Sequence, residues 1–191
     1  MTWDGTADAQ RAVTPPPRRV LVAGPAGVGK TTLARRIEEV AGLPHTELDA
    51  LFHGPGWTQQ PGFLEAVETF TREPAWTTEW SYTTQLGDLL VRRADTLVFL
   101  DYPAVRHMGR LVRRTVRRSM HHSELWNGNV EPPLRTFIRN PDHIVRWGWR
   151  GRAGIRDRVA AVEREWPGLR VVRVRSQREA DAWVRGLGRP R

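Results

Sequence analysis

At 191 residues the chain is long enough for one domain with its own core, and it has no run of about 18 apolar residues that could span a bilayer. It contains no cysteine, which removes disulfide frameworks and thiolate metal sites and is compatible with a reducing cytoplasm. Lys and Arg total 30 against 21 Asp and Glu, a net charge of +9, and one position among the 30, Lys30, is lysine.

Residues 1–17 carry Asp4 and Asp8, lack an apolar stretch and end in Pro15-Pro16-Pro17, which predicts a disordered tail and not a signal peptide. Arg18–Ala23 is a short β-branched run, a buried parallel strand. It leads into Gly24-Pro25-Ala26-Gly27-Val28-Gly29-Lys30-Thr31, the G-x-x-x-x-G-K-T pattern of a phosphate-binding loop. Thr31–Val40 follows as an amphipathic helix that stops near Gly42, with Leu33, Ile37 and Val40 on its apolar face. Gly24, Gly27 and Gly29 let backbone N–H groups curl around phosphate oxygens, and Thr32 lies in the first turn of a helix whose N-terminus adds partial positive charge. Lys30 supplies the slim ammonium that reaches the β- and γ-phosphates, and Thr31 offers a hydroxyl to Mg²⁺.

Further along, residues 44–49 read as a second strand ending in Asp49, and 50–57 as an irregular glycine- and aromatic-rich stretch. A helix over 61–73, a strand over 75–79, a helix over 86–93 and a strong strand over 95–101 come next. A basic helix over 104–119, a loop-rich segment over 120–150, a helix over 155–165, a strand over 169–174 and a final helix complete the pattern. Trp76, Trp166 and Trp183 read as core. Alternating strands and helices predict an α/β, doubly wound parallel sheet with helices on both faces, whose ligands bind beyond the carboxyl ends of the strands. Asp49, Glu79 and Asp101 fall at that edge. One orders Mg²⁺, often through water, and another binds or deprotonates an acceptor hydroxyl; capping of helix starts is the other use of carboxylates there.

Charge is uneven along the chain. Residues 102–160 hold thirteen Arg against four acids, a net of +9 that equals the charge of the whole molecule. Arg106, Arg110, Arg113, Arg114 and Arg117 recur on one helical face. Arg110 and Arg114, one turn apart, read as phosphate contacts, while Arg113, Arg117 and Arg118 read as a solvated face.

These motifs resemble small P-loop kinases of the adenylate-kinase type, and most closely the bacterial branch labelled "DNA topology modulation protein". The resemblance rests on Gly24–Thr31, Leu48–Phe52 with Gly56-Trp57, Thr96–Asp101, Leu125–Asn129 with Glu131–Arg135, and Val172, Val174, Arg175 and Ser176, and covers residues 18–187. It implies a five-stranded sheet ordered 2-3-1-4-5, a lid at about 120–150 whose closing arginines are Arg139 and Arg146, and adenine near Arg175-Ser176, with 188–191 as a tail. It also implies ATP and Mg²⁺ as cofactors, with Arg110 and Arg114 gripping the transferred phosphate. Departures are instructive. Where the adenylate-kinase pattern ends its third strand in Asp-Gly, this sequence has Thr78-Glu79-Trp80, which puts a bulky Trp80 where an acceptor is usually approached. Asp49 with Phe52 and Trp57 instead resembles the acceptor-binding Asp of shikimate- and gluconate-type kinases, which speaks against AMP.

The reading is a cytoplasmic Mg²⁺- and ATP-dependent phosphotransferase with a small hydroxyl- or phosphate-bearing acceptor. Its rival is a nucleic-acid-associated protein that hydrolyses or is switched by ATP, supported by the Arg face and nine tryptophans. A guanine-specific GTPase needs an Asn-Lys-x-Asp sequence, and the one lysine is already in the phosphate loop. His107, His121, His122 and His143 lack metal-ligand spacing.

Overall fold

The structure, a computed structural model, describes residues 15–103 and 154–188. The expected tail up to residue 14, the basic helix 104–119 and the lid 120–150 lie outside the described residues. Strand β1 (Arg19–Ala23) enters the phosphate loop, and α1 (Lys30–Ala41) leaves it. Two short helical pieces follow, α2 (Leu48–Phe52) and a 3₁₀ turn (Pro55–Trp57), then α3 (Phe63–Thr71) and β2 (Trp76–Glu79). Next come α4 (Thr83–Leu86), α5 (Leu89–Arg93), β3 (Thr96–Leu100) and α6 over 154–165. Strand β4 (Arg170–Val174) and α7 (Gln177–Leu187) complete the described chain.

All four strands are parallel, in the order β2-β1-β3-β4. This corrects the expected five strands ordered 2-3-1-4-5. Residues 44–49 make only an isolated parallel bridge, His45 to Thr77, flanked by Thr46 N–H to the Thr77 carbonyl (3.0 Å) and Thr77 N–H to the Pro44 carbonyl (2.8 Å). Leu48 and Asp49 already turn into α2, so the ladder cannot continue. The stretch 50–57 is correspondingly less irregular than its glycines suggested. The single helix expected over 86–93 is two helices, because Gly87 takes φ 51 and breaks the backbone between them.

Side-chain alternation along the strands builds two cores. Val20, Val22, Val98 and Val172 face Ile37 of α1 and Trp183 of α7. Leu21, Leu97, Phe99 and Val171 face the other way, onto Val67 of α3 and Val159 of α6. Helices therefore cover both faces, as expected of a doubly wound sheet. Helix α1 ends as its sequence predicted: Gly42 at φ 67 places its N–H 2.8 Å from the Glu38 carbonyl. Val40 departs from expectation, lying 40% exposed, and Trp166 is only partly buried. Trp76 and Trp183 are buried core residues.

Candidate active site

The loop between β1 and α1 is shaped by close contacts. Gly24 sits at φ 154 against β3, where a Cβ would lie 2.8 Å from Val28 Cγ1 and 3.2 Å from Leu100 Cβ. No larger residue fits there without displacing the loop. Gly29, at φ 107, ends the loop as the N-cap of α1. Its left-handed backbone turns the chain so that the first N–H groups of the helix, which have no intrahelical acceptors, point toward the loop's mouth. Pro25 is buried, Ala26 and Gly27 half-buried and Thr32 exposed, while Val28 packs into the core. Lys30 Nζ donates to the Gly24 carbonyl at 3.1 Å and lies 3.4 Å from that of Pro25. The ammonium is thus folded over the loop that the sequence assigned to phosphate.

Three carboxylates, Glu79, Asp49 and Asp101, reach the same end of the sheet by different routes. Glu79, the last residue of β2, is buried and accepts a hydrogen bond from the Thr31 hydroxyl. His45 Nε2 lies 3.3 Å from Glu79 Oε1, with both side chains almost inaccessible to solvent. Burial pushes the Glu79 carboxyl up, but the hydrogen bond and charge of His45, together with the Thr31 hydroxyl, outweigh it and leave its pKa below the ordinary range. An ionised carboxylate only accepts, so His45 Nε2 carries the proton. His45 is itself placed by its bridge to β2 and by its backbone N–H donating to Glu38 Oε1 (3.0 Å) on α1.

Asp49 lies on α2, where Tyr82 Oη donates to Asp49 Oδ1 at 2.6 Å. With its one proton on Asp49, the phenol accepts from His53 Nε2 at 3.2 Å. Burial raises the Tyr82 pKa, and the hydrogen bond to Asp49 with the charges of Asp49 and Glu79 raises it further. The phenol ring stacks on Phe52, centroids 4.3 Å apart. Asp101, just beyond β3, is paired with Arg156 of α6, Nε 2.8 Å and Nη2 2.6 Å from Oδ1. Arg158, also on α6, donates to Thr83 Oγ1 at 2.8 Å and lies 5.7 Å over the Trp80 ring. Trp80 itself belongs to the core and is only 7% exposed.

The structure therefore brings Thr31 and Glu79 together at the foot of the phosphate loop, and Asp49 beside Tyr82. Arg175 is exposed beyond β4, its backbone N–H bonded to Glu179 Oε2 (3.0 Å). Arg110, Arg114, Arg139 and Arg146 lie outside the described residues. Sequence reasoning missed His45, His53, Tyr82 and Arg156. His45 and Glu79 are 34 residues apart, so no local pattern joins them. Tyr82, three residues past a strand end, had a positional signal that was not used.

Among the described residues no group of three or more His, Asp or Glu could hold a metal by itself. Mg²⁺ requires less when phosphates supply ligands: one or two carboxylates, a hydroxyl and water suffice. The Thr31 hydroxyl oxygen and the ionised Glu79 carboxylate are hard oxygen donors of that kind, and they fit the ion. No helix among the described residues is long and apolar enough to cross a membrane.

Parallel sheet, glycine loop and helix start together define a P-loop kinase-like fold. Comparison with solved structures agrees: a gluconokinase from Sinorhizobium meliloti 1021 aligns at TM-score 0.50 with 18% identity, covering 90% of this chain and 91% of that one. A shikimate kinase from Acinetobacter baumannii in complex with shikimate aligns at TM-score 0.49 with 19% identity, over 97% and 93% of the two chains. Among curated proteins, a cytidylate kinase from Nitratidesulfovibrio vulgaris (strain DP4) is 41% identical over 54 residues, 28% of this chain and 23% of the relative. A cytidylate kinase from Oleidesulfovibrio alaskensis is 53% identical over 38 residues, 20% and 17% of the respective lengths. The chain thus spans about a quarter or less of the curated relatives it matches. No family model matches the chain.

Proposed function

We propose that the protein is a cytoplasmic kinase that moves the γ-phosphoryl group of ATP to a small acceptor, working as one adenylate-kinase-like domain over residues 18–187 with a lid at about 120–150. The observation that carries the reading is the joint placement of the Lys30 ammonium over the glycine loop and the Thr31 hydroxyl against Glu79. Gly24 to Thr32 hold the triphosphate through backbone N–H groups, and Lys30 moves from the loop carbonyls to phosphate oxygens. Thr31, Glu79 and Asp101 would hold Mg²⁺, which would supply positive charge against the triphosphate. Asp49 orients the acceptor and takes its proton. Arg110 and Arg114 grip the transferring group as the lid excludes water, and Arg175 lies beside the adenine. The curated relatives are named cytidylate kinases and the aligned structure a gluconokinase, which supports phosphotransfer to a small metabolite.

The test is ADP release from Mg·ATP by the purified protein, alone and with nucleosides, nucleotides, sugars, hydroxy acids, and duplex or single-stranded DNA. A phosphorylated small molecule is the expected product. Release of free phosphate stimulated by DNA alone would overturn the kinase reading in favour of a nucleic-acid-associated ATPase, the class suggested by the +9 charge concentrated in residues 102–160.

A further inference from the structure

We propose that Tyr82 is the residue that selects the acceptor: clamped to Asp49 inside an aromatic cluster, it makes the site take an alcohol hydroxyl and reject a phosphate group. The proposal rests on the kinase reading and narrows it to one class of acceptor. Two non-glycine residues among those described have left-handed backbones, Tyr82 at φ 55 and Trp57 at φ 61. Such conformations cost free energy for bulky side chains and persist where surrounding contacts enforce them, most often at ligand sites. Both residues adjoin the same group. Trp57 meets the His53 ring edge-on at 5.1 Å, and His53 lies 3.2 Å from the Tyr82 hydroxyl. Phe52 stacks on Tyr82 at 4.3 Å, and Phe63 closes on both rings at 5.0 and 5.3 Å.

Tyr82 engages one oxygen of Asp49 at 2.6 Å. A carboxylate has about four acceptor positions, so the group can still receive a further hydroxyl proton while the phenol holds it in one orientation. An alcohol completes this arrangement as a donor. A phosphate monoester at the same point is an acceptor carrying negative charge, and it meets the Asp49 carboxylate. In a half-buried setting that like-charge contact is unfavourable, whereas the alcohol contact is a charge-assisted hydrogen bond. The aromatic surface of Trp57, 39% exposed, suits the C–H face of a polyol or a ring. Arg158 is engaged with Thr83 and Trp80, one step beyond Tyr82.

In the step this implies, the alcohol oxygen bonds to the γ-phosphorus as the bond from that phosphorus to the β,γ-bridging oxygen breaks. ADP leaves with the electron pair, and the hydroxyl proton passes to Asp49. The product is a phosphate monoester; phosphorylation of a phosphate acceptor would give an anhydride.

Phosphorus NMR distinguishes the two directly. The full chain is incubated with Mg·ATP and, separately, gluconate, shikimate, myo-inositol, cytidine, AMP and CMP. Calorimetry measures Mg·ATP binding on the same preparation. Monoester formation is the expected result, and Tyr82→Phe is expected to raise the acceptor KM about tenfold or more while the Kd for Mg·ATP stays within about twofold. Should Tyr82→Phe fail to fold, Asp49→Asn, which keeps the shape of the phenol's partner but removes the proton acceptor, is expected to lower kcat as well as raise the acceptor KM, with the Kd for Mg·ATP still within about twofold. Anhydride formation from AMP or CMP overturns the proposal and leaves the kinase reading intact. An unchanged acceptor KM in the folded Tyr82→Phe protein overturns the role of Tyr82, and bound ATP with no alcohol phosphorylated overturns the alcohol class. Failure to bind Mg·ATP overturns the kinase reading and this inference with it.

Discussion

Lys30 is the one lysine of the chain, and it sits in the phosphate loop. Its ammonium bonds to the Gly24 carbonyl in the structure, within the loop where phosphate oxygens would enter. Lys30→Ala is therefore expected to reduce ADP formation by at least about 100-fold, with a melting temperature within about 2 °C of the parent, measured by coupled assay and thermal denaturation. Glu79 differs, because its carboxylate is held by two donors, Thr31 and His45. Glu79→Gln keeps the shape but removes the charge. The expected outcome is a turnover about tenfold or more lower and a higher Mg²⁺ concentration for half-maximal rate, read from Mg²⁺ titrations at saturating ATP. An unchanged Mg²⁺ requirement would remove Glu79 from the metal site.

At the scale of elements, α1 and α7 lie side by side on one face of the sheet, joined by buried Ile37 and Trp183 and by an ion pair of Arg36 with Asp181. Burial pushes the Asp181 carboxyl up, but the Gln177 and Arg36 hydrogen bonds and the Arg36 and Arg185 charges prevail, and its pKa is lowered. A carboxyl with a lower pKa folded than unfolded stabilises the fold fully above the ordinary carboxylate value of about 4, and that contribution disappears as pH falls through the lower folded value. Both side chains are about one-third exposed, 32% each, so solvent screening limits the effect to about 0.5 kcal/mol. Asp181→Asn is expected to lower the melting temperature by about 1–2 °C near pH 7, and the difference from the parent should vanish as pH falls well below about 4. A difference that persists at acid pH would mean packing, not charge, sets the contribution. Helix α6 shows a related division of labour. Its apolar side packs Ile155 and Val159 against the sheet, while Arg156 and Arg158 extend to Asp101 and Thr83 at the carboxyl edge. Those two contacts join the helix that follows the expected lid to the end of β3 and the start of α4.

For the whole molecule, the parallel sheet with two cores makes a rigid support, and the site is assembled from loops at one edge of it. A ligand that binds only the folded chain stabilises it by mass action, by about 2.7 kcal/mol when its concentration is 100-fold above Kd. Mg·ATP at that ratio is expected to raise the melting temperature by about 5–10 °C for a chain of this size, and Lys30→Ala should lose most of that shift. An equal shift in both proteins would place nucleotide binding away from the phosphate loop. The charge of +9 concentrates in residues 102–160, so any nucleic-acid binding should weaken steeply with salt, whereas phosphotransfer should not.

Local order along the chain was enough to specify the strand, glycine loop and helix that carry Gly24 to Thr31, because those residues are contiguous and each conformation is set by its neighbours. The two-sided covering of the sheet was legible for the same reason, in the β-branched runs of β1 and β3. Tertiary structure decided what contiguity does not reach. Whether residues 44–49 extend the sheet depends on how soon Leu48 and Asp49 turn into α2, and one bridge from His45 to Thr77 is the outcome. The pairing of His45 with Glu79 and of Tyr82 with Asp49 joins residues more than thirty apart in the chain. Packing then sets their pKa values: burial raises that of Tyr82, while the His45 and Thr31 contacts lower that of Glu79 against burial, and no sequence pattern encodes either environment.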